Sequence, residues 1–107
     1  MKVYEGRRTQ QGVAVTVNGL PLNPRLDLRN HSPTGLEWGY GGSGPAQLAL
    51  AMLADHLADD AEALNLYQRF KWRVIAELPP KRWSLTDCQV DQALQRLREA
   101  ELEGVAS

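Results

Sequence analysis

A chain of 107 residues, 43% hydrophobic and 23% charged, has the size and composition of one globular domain and is not that of a disordered chain. Its 12 Lys+Arg against 13 Asp+Glu give a formal net charge of -1, which excludes a whole-protein electrostatic pull toward nucleic acid or anionic lipid and leaves only local patches. The single cysteine, Cys88, excludes an intrachain disulfide. With no apolar core in Met1–Arg8, this predicts a cytoplasmic protein without a signal peptide.

The first third reads as strands. Val13, Val15 and Val17 alternate with Ala14 and Thr16, the period of a half-buried strand. Asn18-Gly19 then predicts a two-residue type I′ turn, because both positions require positive φ. Leu20 and Leu22 form the returning arm, which Pro21 keeps short or at an edge. Lys2–Arg8 is the expected partner strand. Leu26 and Leu28 alternate with Asp27 and Arg29, so Arg25–Arg29 reads as a further short strand. Residues 30–44 read as a long loop, and Leu36–Tyr40 within it admits one more strand.

Helices follow. Pro45 suits the first helical position, with Gly44 or Ser43 as the N-cap. Ala46–Leu57 is apolar on most sides, which predicts a central buried helix. Leu48–Ala54, its most apolar part, is far too short to span a bilayer. Asp59 and Glu62 have capping-box spacing. The apolar series Ala63, Leu64, Tyr67, Phe70, Val74 and Leu78 carries a second helix to the Pro79-Pro80 stop. Ser84 with Asp87 predicts the cap of a third helix, whose stripe is Val90, Ala93, Leu94 and Leu97 and whose expected end is Gly104. The predicted fold is one α+β domain over residues 1–107. Strands and a glycine-rich loop fill 1–44 and three helices fill 45–103; a small antiparallel sheet of three or four strands packs on the helices, the first helix central.

The glycine-rich loop is the first candidate site. Gly39, Gly41, Gly42 and Gly44 satisfy G-x-G-x-x-G ahead of a helix, a pattern that lets backbone approach a phosphate. The pattern also requires a second parallel strand after that helix, and none is visible. Pro45 removes one N–H donor, and no Lys follows Gly44. The structural alternative is a turn in which the glycines pack beneath Trp38 and Tyr40. Gly41-Gly42-Ser43-Gly44 nearly forms a nucleophile elbow, with Pro45 in the place of its last glycine. His31 or His56 would have to serve as base, and no spacing brings either to Ser43, so no catalytic residue is assigned. Asp55, His56, Asp59 and Asp60 at a helix end supply no convergent ligand set with Cys88 or His31, and neither metal nor cofactor is expected.

Before the loop stand Arg25, Asp27, Arg29, His31 and Glu37. Arg25, Arg29 and His31 would complete an anion site, or Arg29 would pin the loop through Asp27 or Glu37. A second candidate surface holds Arg69, Lys71, Arg73, Lys81 and Arg82 with Trp72 and Trp83, which suits single-stranded nucleic acid by charge and stacking. The alternative there is a solvated helix face whose cations complement the dipole.

From Arg29 through Ser43 to Leu50 the sequence reads RNHSPTGLEWGYGGSGPAQLAL. With Gly6–Thr9, Ala54–Leu57 and Tyr67–Trp72, it resembles an uncharacterised prokaryotic family of small proteins, a domain of unknown function. The resemblance implies a prokaryotic, phage or plasmid origin and directs attention to Arg29–Pro45; it brings no activity and no catalytic residue. The expected function is a non-enzymatic binding module, a regulator or inhibitor working through protein contacts. Trp38, Tyr40, Trp72 and Trp83 are of the residue types enriched at interfaces. The expected partner is a protein, with self-association through the third helix or binding of nucleic acid or a nucleotide as the alternatives and no membrane role.

Overall fold

A computed structural model describes residues 1–32 and 35–106, with side chains as far as residue 100. Pro33 and Thr34 of the expected loop lie outside it. The first strand, β1 (Val3–Thr9), pairs antiparallel with β2 (Gly12–Val17) in a register running from Tyr4 opposite Val17 to Thr9 opposite Gly12. Strand parity puts Tyr4, Gly6, Val13, Val15 and Val17 on one face, and Glu5, Arg7, Ala14 and Thr16 on the other. The Asn18-Gly19 turn forms as expected, with φ of 49° and 81°. The arm after it, β3 (Leu20–Pro21), is an edge of two residues.

The fourth strand, β4 (Arg82–Thr86), lies on the far side of β1, giving the order β3-β2-β1-β4. It falls in the stretch expected to hold only helices. Ser84 is a strand residue opposite Glu5 rather than a cap. The cap is two residues later. The Thr86 hydroxyl accepts from the Gln89 backbone N–H at 3.2 Å, and the Gln89 carboxamide accepts from the Thr86 N–H at 2.9 Å, a reciprocal capping box.

Arg25–Arg29 is a turn, not a strand: Arg25 has a φ of 55° and its carbonyl accepts from the Leu28 N–H at 3.0 Å. Leu36–Tyr40 joins no strand either. The Gly39 N–H donates to the Ile75 carbonyl at 3.0 Å, tying this segment to a helical turn instead of the sheet.

The hub is α1 (Ser43–Leu57), entered through Gly42 as N-cap, so Ser43 and Gly44, the expected caps, are helical residues instead. It begins two residues before Pro45, so Pro45 sits inside the first turn, where a missing N–H leaves no hydrogen bond unmade. Every residue from Gly44 to Ala54 is buried. Full burial of side chains such as Leu48, Leu50 and Leu53 stabilises by about 1.5–3 kcal/mol each. The second helix, α2 (Asp60–Arg73), is capped as expected by Asp59, whose carboxylate accepts from the Glu62 N–H at 3.1 Å. It stops five residues early. Val74 leaves helical geometry and a 3-10 turn, Ile75–Glu77, buries Ile75. The third helix, α3 (Asp87–Ala106), continues through Gly104, since one glycine costs a helix only about 1 kcal/mol. Among the described residues no helix is long and apolar enough to cross a membrane.

The sheet is pinned to the hub by polar contacts. The Tyr4 hydroxyl donates to the Asp55 carboxylate at 2.6 Å, and Lys2 Nζ reaches the same oxygen at 2.9 Å. Burial pushes the Asp55 carboxyl up, but the hydrogen bonds from Tyr4 and Lys2 outweigh it and hold it below the usual carboxylate range. His56, beside it, holds Asp91 of α3 at 2.6 Å.

Candidate functional site

The glycine-rich segment is built against side chains. A Cβ on Gly41 would overlap the Trp72 ring, one on Gly42 would meet the Tyr40 ring, and one on Gly44 would press on the Glu37 side chain. Space that a phosphate loop leaves to its ligand is occupied here by two aromatic rings and a methylene stem. Ser43 stands exposed in the first turn of α1. The two histidines are engaged elsewhere: His31 Nε2 lies 2.7 Å from the Tyr67 hydroxyl, and His56 Nε2 is paired with Asp91. Among the described residues no group of three or more His, Cys, Asp and Glu converges as a metal site would require.

The arginines ahead of the loop separate. Arg25 grips Asp27 through Nε and Nη2, both at 3.1 Å, and Asp60 through Nη1 at 3.1 Å and Nη2 at 2.9 Å, so its donors are used within the chain. That hydrogen bonding holds the Asp27 carboxyl below its ordinary value. Arg29 donates to the Leu28 carbonyl at 2.9 Å. Pinning falls to other residues. Glu37 is held by Arg8, whose Nη2 and Nη1 donate to its two oxygens at 2.8 and 3.0 Å. The same guanidinium, 4.8 Å from the ring centroid of Trp38, holds the Glu37 carboxyl below its ordinary value. Gln47, fully buried on α1, accepts from the His31 N–H at 2.8 Å and the Ser32 N–H at 3.3 Å, and donates to the Pro24 carbonyl at 2.6 Å.

Two of the four aromatics belong to the core. Trp38 is 1% exposed and donates through Nε1 to the carbonyls of Pro79 and Pro80 at 3.0 and 3.2 Å. Trp83 faces inward from β4, meets Trp38 edge-on at 5.7 Å, and lies over Gly6, where a Cβ would overlap its indole. Its Nε1 is buried with no hydrogen-bond partner among the described residues. Trp72 and Tyr40 remain outside, 59% and 53% exposed.

Trp72 opens onto a groove of about 330 Å³ between α2 and α3, lined by Arg69, Trp72, Arg73, Leu97 and Ala100. A smaller depression of about 110 Å³ also draws on Arg73 and Leu97 and adds Val74, Ala93 and Arg96. Lys71, buried along its stem, places Nζ 4.5 Å from the Trp72 ring centroid. The basic run of the sequence is therefore divided. Arg69, Lys71 and Arg73 surround Trp72 on α2, while Lys81 and Arg82 line a different depression with Arg7, Arg8, Thr9 and Gln10.

Sequence reasoning gave no site role to Arg7, Arg8, Gln47 or Leu97. Gln47 had a signal, as the one amide inside an otherwise apolar stretch of α1. Arg8 had none, because 29 positions separate it from Glu37.

No curated protein and no solved structure matches the chain. A family model does, from residue 4 to residue 96, across the sheet, the loop, α1, α2 and the first half of α3. The chain belongs to the family of unknown function DUF6166.

Proposed function

We propose that this chain is a small non-enzymatic binding module, a regulator or inhibitor of phage or plasmid origin, that receives an acidic protein segment in the groove beside Trp72. The observation that carries this reading is the mounting of Trp72: a large, exposed indole seated on the glycine backbone at Gly41, with cations on its own helix and on the facing one. A tryptophan seated on backbone and flanked by arginines is the composition of an interface hot spot, and a ring with two side-chain torsions loses little conformational freedom on binding. Leu97 and Ala93 supply an apolar floor, and Arg73 and Arg96 supply charge at the rim. Nearby Tyr40 extends the aromatic surface across the glycine-rich loop.

The test is capture from host lysate by the wild type, by Trp72→Ala and by Arg73→Glu, each with and without nuclease, across a salt series. Protein capture that survives nuclease and is lost in both variants supports the reading. Capture abolished by nuclease and falling steeply with salt would replace it with the alternative, nucleic acid held by charge and stacking around the same tryptophan.

A further inference from the structure

We propose a second, independent site: a sugar-phosphate-binding depression on the uncovered face of the sheet, with the phosphate held between Arg7 and Arg82. The two arginines are directly opposite each other on β1 and β4. Side chains opposite on adjacent strands stand about 5 Å apart at Cβ, and like charges in that relationship repel. No carboxylate of the described residues pairs with either of them directly. Among the described residues neither side chain makes a hydrogen bond or an ion pair, whereas Arg8, one residue away on the other face, is fully matched by Glu37 and the Pro80 carbonyl. A dianionic phosphate is the group that two adjacent guanidinium forks bind bidentately.

The surroundings select a small ester over a polymer backbone. The arginines border a depression of about 660 Å³, within the range of small-molecule clefts. Gly6 and Ala14 form a small-residue floor there, and Thr16 and Ser84 supply hydroxyls. Glu5 lies on the same strand face two residues from Arg7, about 7 Å along β1. A carboxylate at that spacing repels a second phosphate and accepts hydrogen bonds from the hydroxyls of a sugar whose phosphate rests on the arginines. The site shares no residue with the Trp72 groove, so either reading stands or falls without the other.

The full chain is titrated with ribose 5-phosphate, ribose, inorganic phosphate and a short DNA duplex at constant ionic strength. Backbone amide NMR shifts and thermal unfolding are followed. Ribose 5-phosphate is expected to move the amides of Glu5, Arg7, Arg82 and Ser84 saturably and to raise the melting temperature; ribose has no effect and inorganic phosphate acts more weakly. The double variant R7Q/R82Q loses the response. It melts above the wild type in phosphate-free buffer, because the repulsion is gone, which also shows that it folds. Glu5→Gln lowers the preference for ribose 5-phosphate over inorganic phosphate about tenfold, the worth of one hydrogen bond to a charged group. A wild-type response matched by chloride, by inorganic phosphate or by R7Q/R82Q overturns the proposal, as does tighter binding of the duplex.

Discussion

The Trp72 ring lies against the backbone of Gly41, so closely that no Cβ fits between them. The loop and α2 are thereby joined at the surface through a residue with no side chain. Gly41→Ala forces the indole off its seat. Because the ring is exposed and has room to swing outward, the cost in stability is small, within about 1 kcal/mol. Trp72 fluorescence is expected to shift to the red, and partner capture to fall as it does in Trp72→Ala. An unfolding midpoint lowered by far more would show that the contact is a structural strut instead of a mount.

The Arg8–Glu37 pair closes the start of the loop onto the end of β1. Its bidentate geometry needs the planar fork, which lysine lacks. Arg8→Lys is expected to lose about 1 kcal/mol, because both side chains are only about a third exposed and the stacking on Trp38 goes with the pair. Glu37→Gln should cost a similar amount, and the double variant less than the sum of the two. A double-mutant cycle by urea unfolding reads the coupling directly.

How much of this was legible follows from where each signal lies. The hub could be read because the run from Ala46 to Leu57 is apolar at almost every position, and only burial on all sides satisfies that. The Asn18-Gly19 turn could be read because its backbone requirement is local. β4 was hidden by a competing pattern. Trp83 and Leu85 alternate with Arg82, Ser84 and Thr86 as a strand should, yet Ser84 and Asp87 have capping spacing, and the true cap at Thr86 and Gln89 is offset by two residues. Arg25–Arg29 alternates as a strand does but turns because Arg25 is held between Asp27 and Asp60, the second of them 35 positions away. The candidate site was legible in residue type and not in grouping. The tryptophans were visible, and the helical phase of α2 already set Trp72 off the core stripe, but strand parity at Trp83 and the Pro79–Pro80 carbonyls at Trp38 decide that those two go inward.

The two buried indoles differ in one hydrogen bond, and that difference is measurable. Trp38 Nε1 has two carbonyl acceptors, whereas Trp83 Nε1 has none among the described residues. Replacement by phenylalanine removes comparable ring area at either place. At Trp38 it also strands the Pro79 carbonyl, while the Pro80 carbonyl keeps Arg8 Nε as a donor; at Trp83 it removes an N–H that was desolvated without compensation. Trp38→Phe is therefore expected to be more destabilising than Trp83→Phe by about 1–3 kcal/mol in chemical denaturation. Equal losses would mean that the Trp83 N–H has found an acceptor.

Gln47 should be among the costliest polar residues to replace. It is completely buried, and it serves the His31 and Ser32 N–H groups and the Pro24 carbonyl with one amide. Gln47→Leu keeps the volume and leaves those backbone groups without their partner, at about 1–3 kcal/mol for each one left unsatisfied. Hydrogen exchange should show the 24–32 segment losing protection before α1 does. Uniform loss across both would mean that Gln47 supports the core and not the loop.

Acid should loosen the sheet from the hub through Asp55. Its carboxyl is held below the usual range in the folded chain and returns to about 3.9 when unfolded, so between these values the unfolded state binds more protons. The stability it contributes is complete above about pH 5 and is lost as pH falls through the folded value. Asp55→Asn removes this dependence and lowers stability near neutral pH, because Lys2 loses its counter-charge and Tyr4 a charged acceptor. Melting temperatures of the two proteins are thus expected to converge as pH drops from 5 toward 2. A gap between them that stays constant over that range would show that the Tyr4–Lys2–Asp55 contact owes its worth to shape and not to charge.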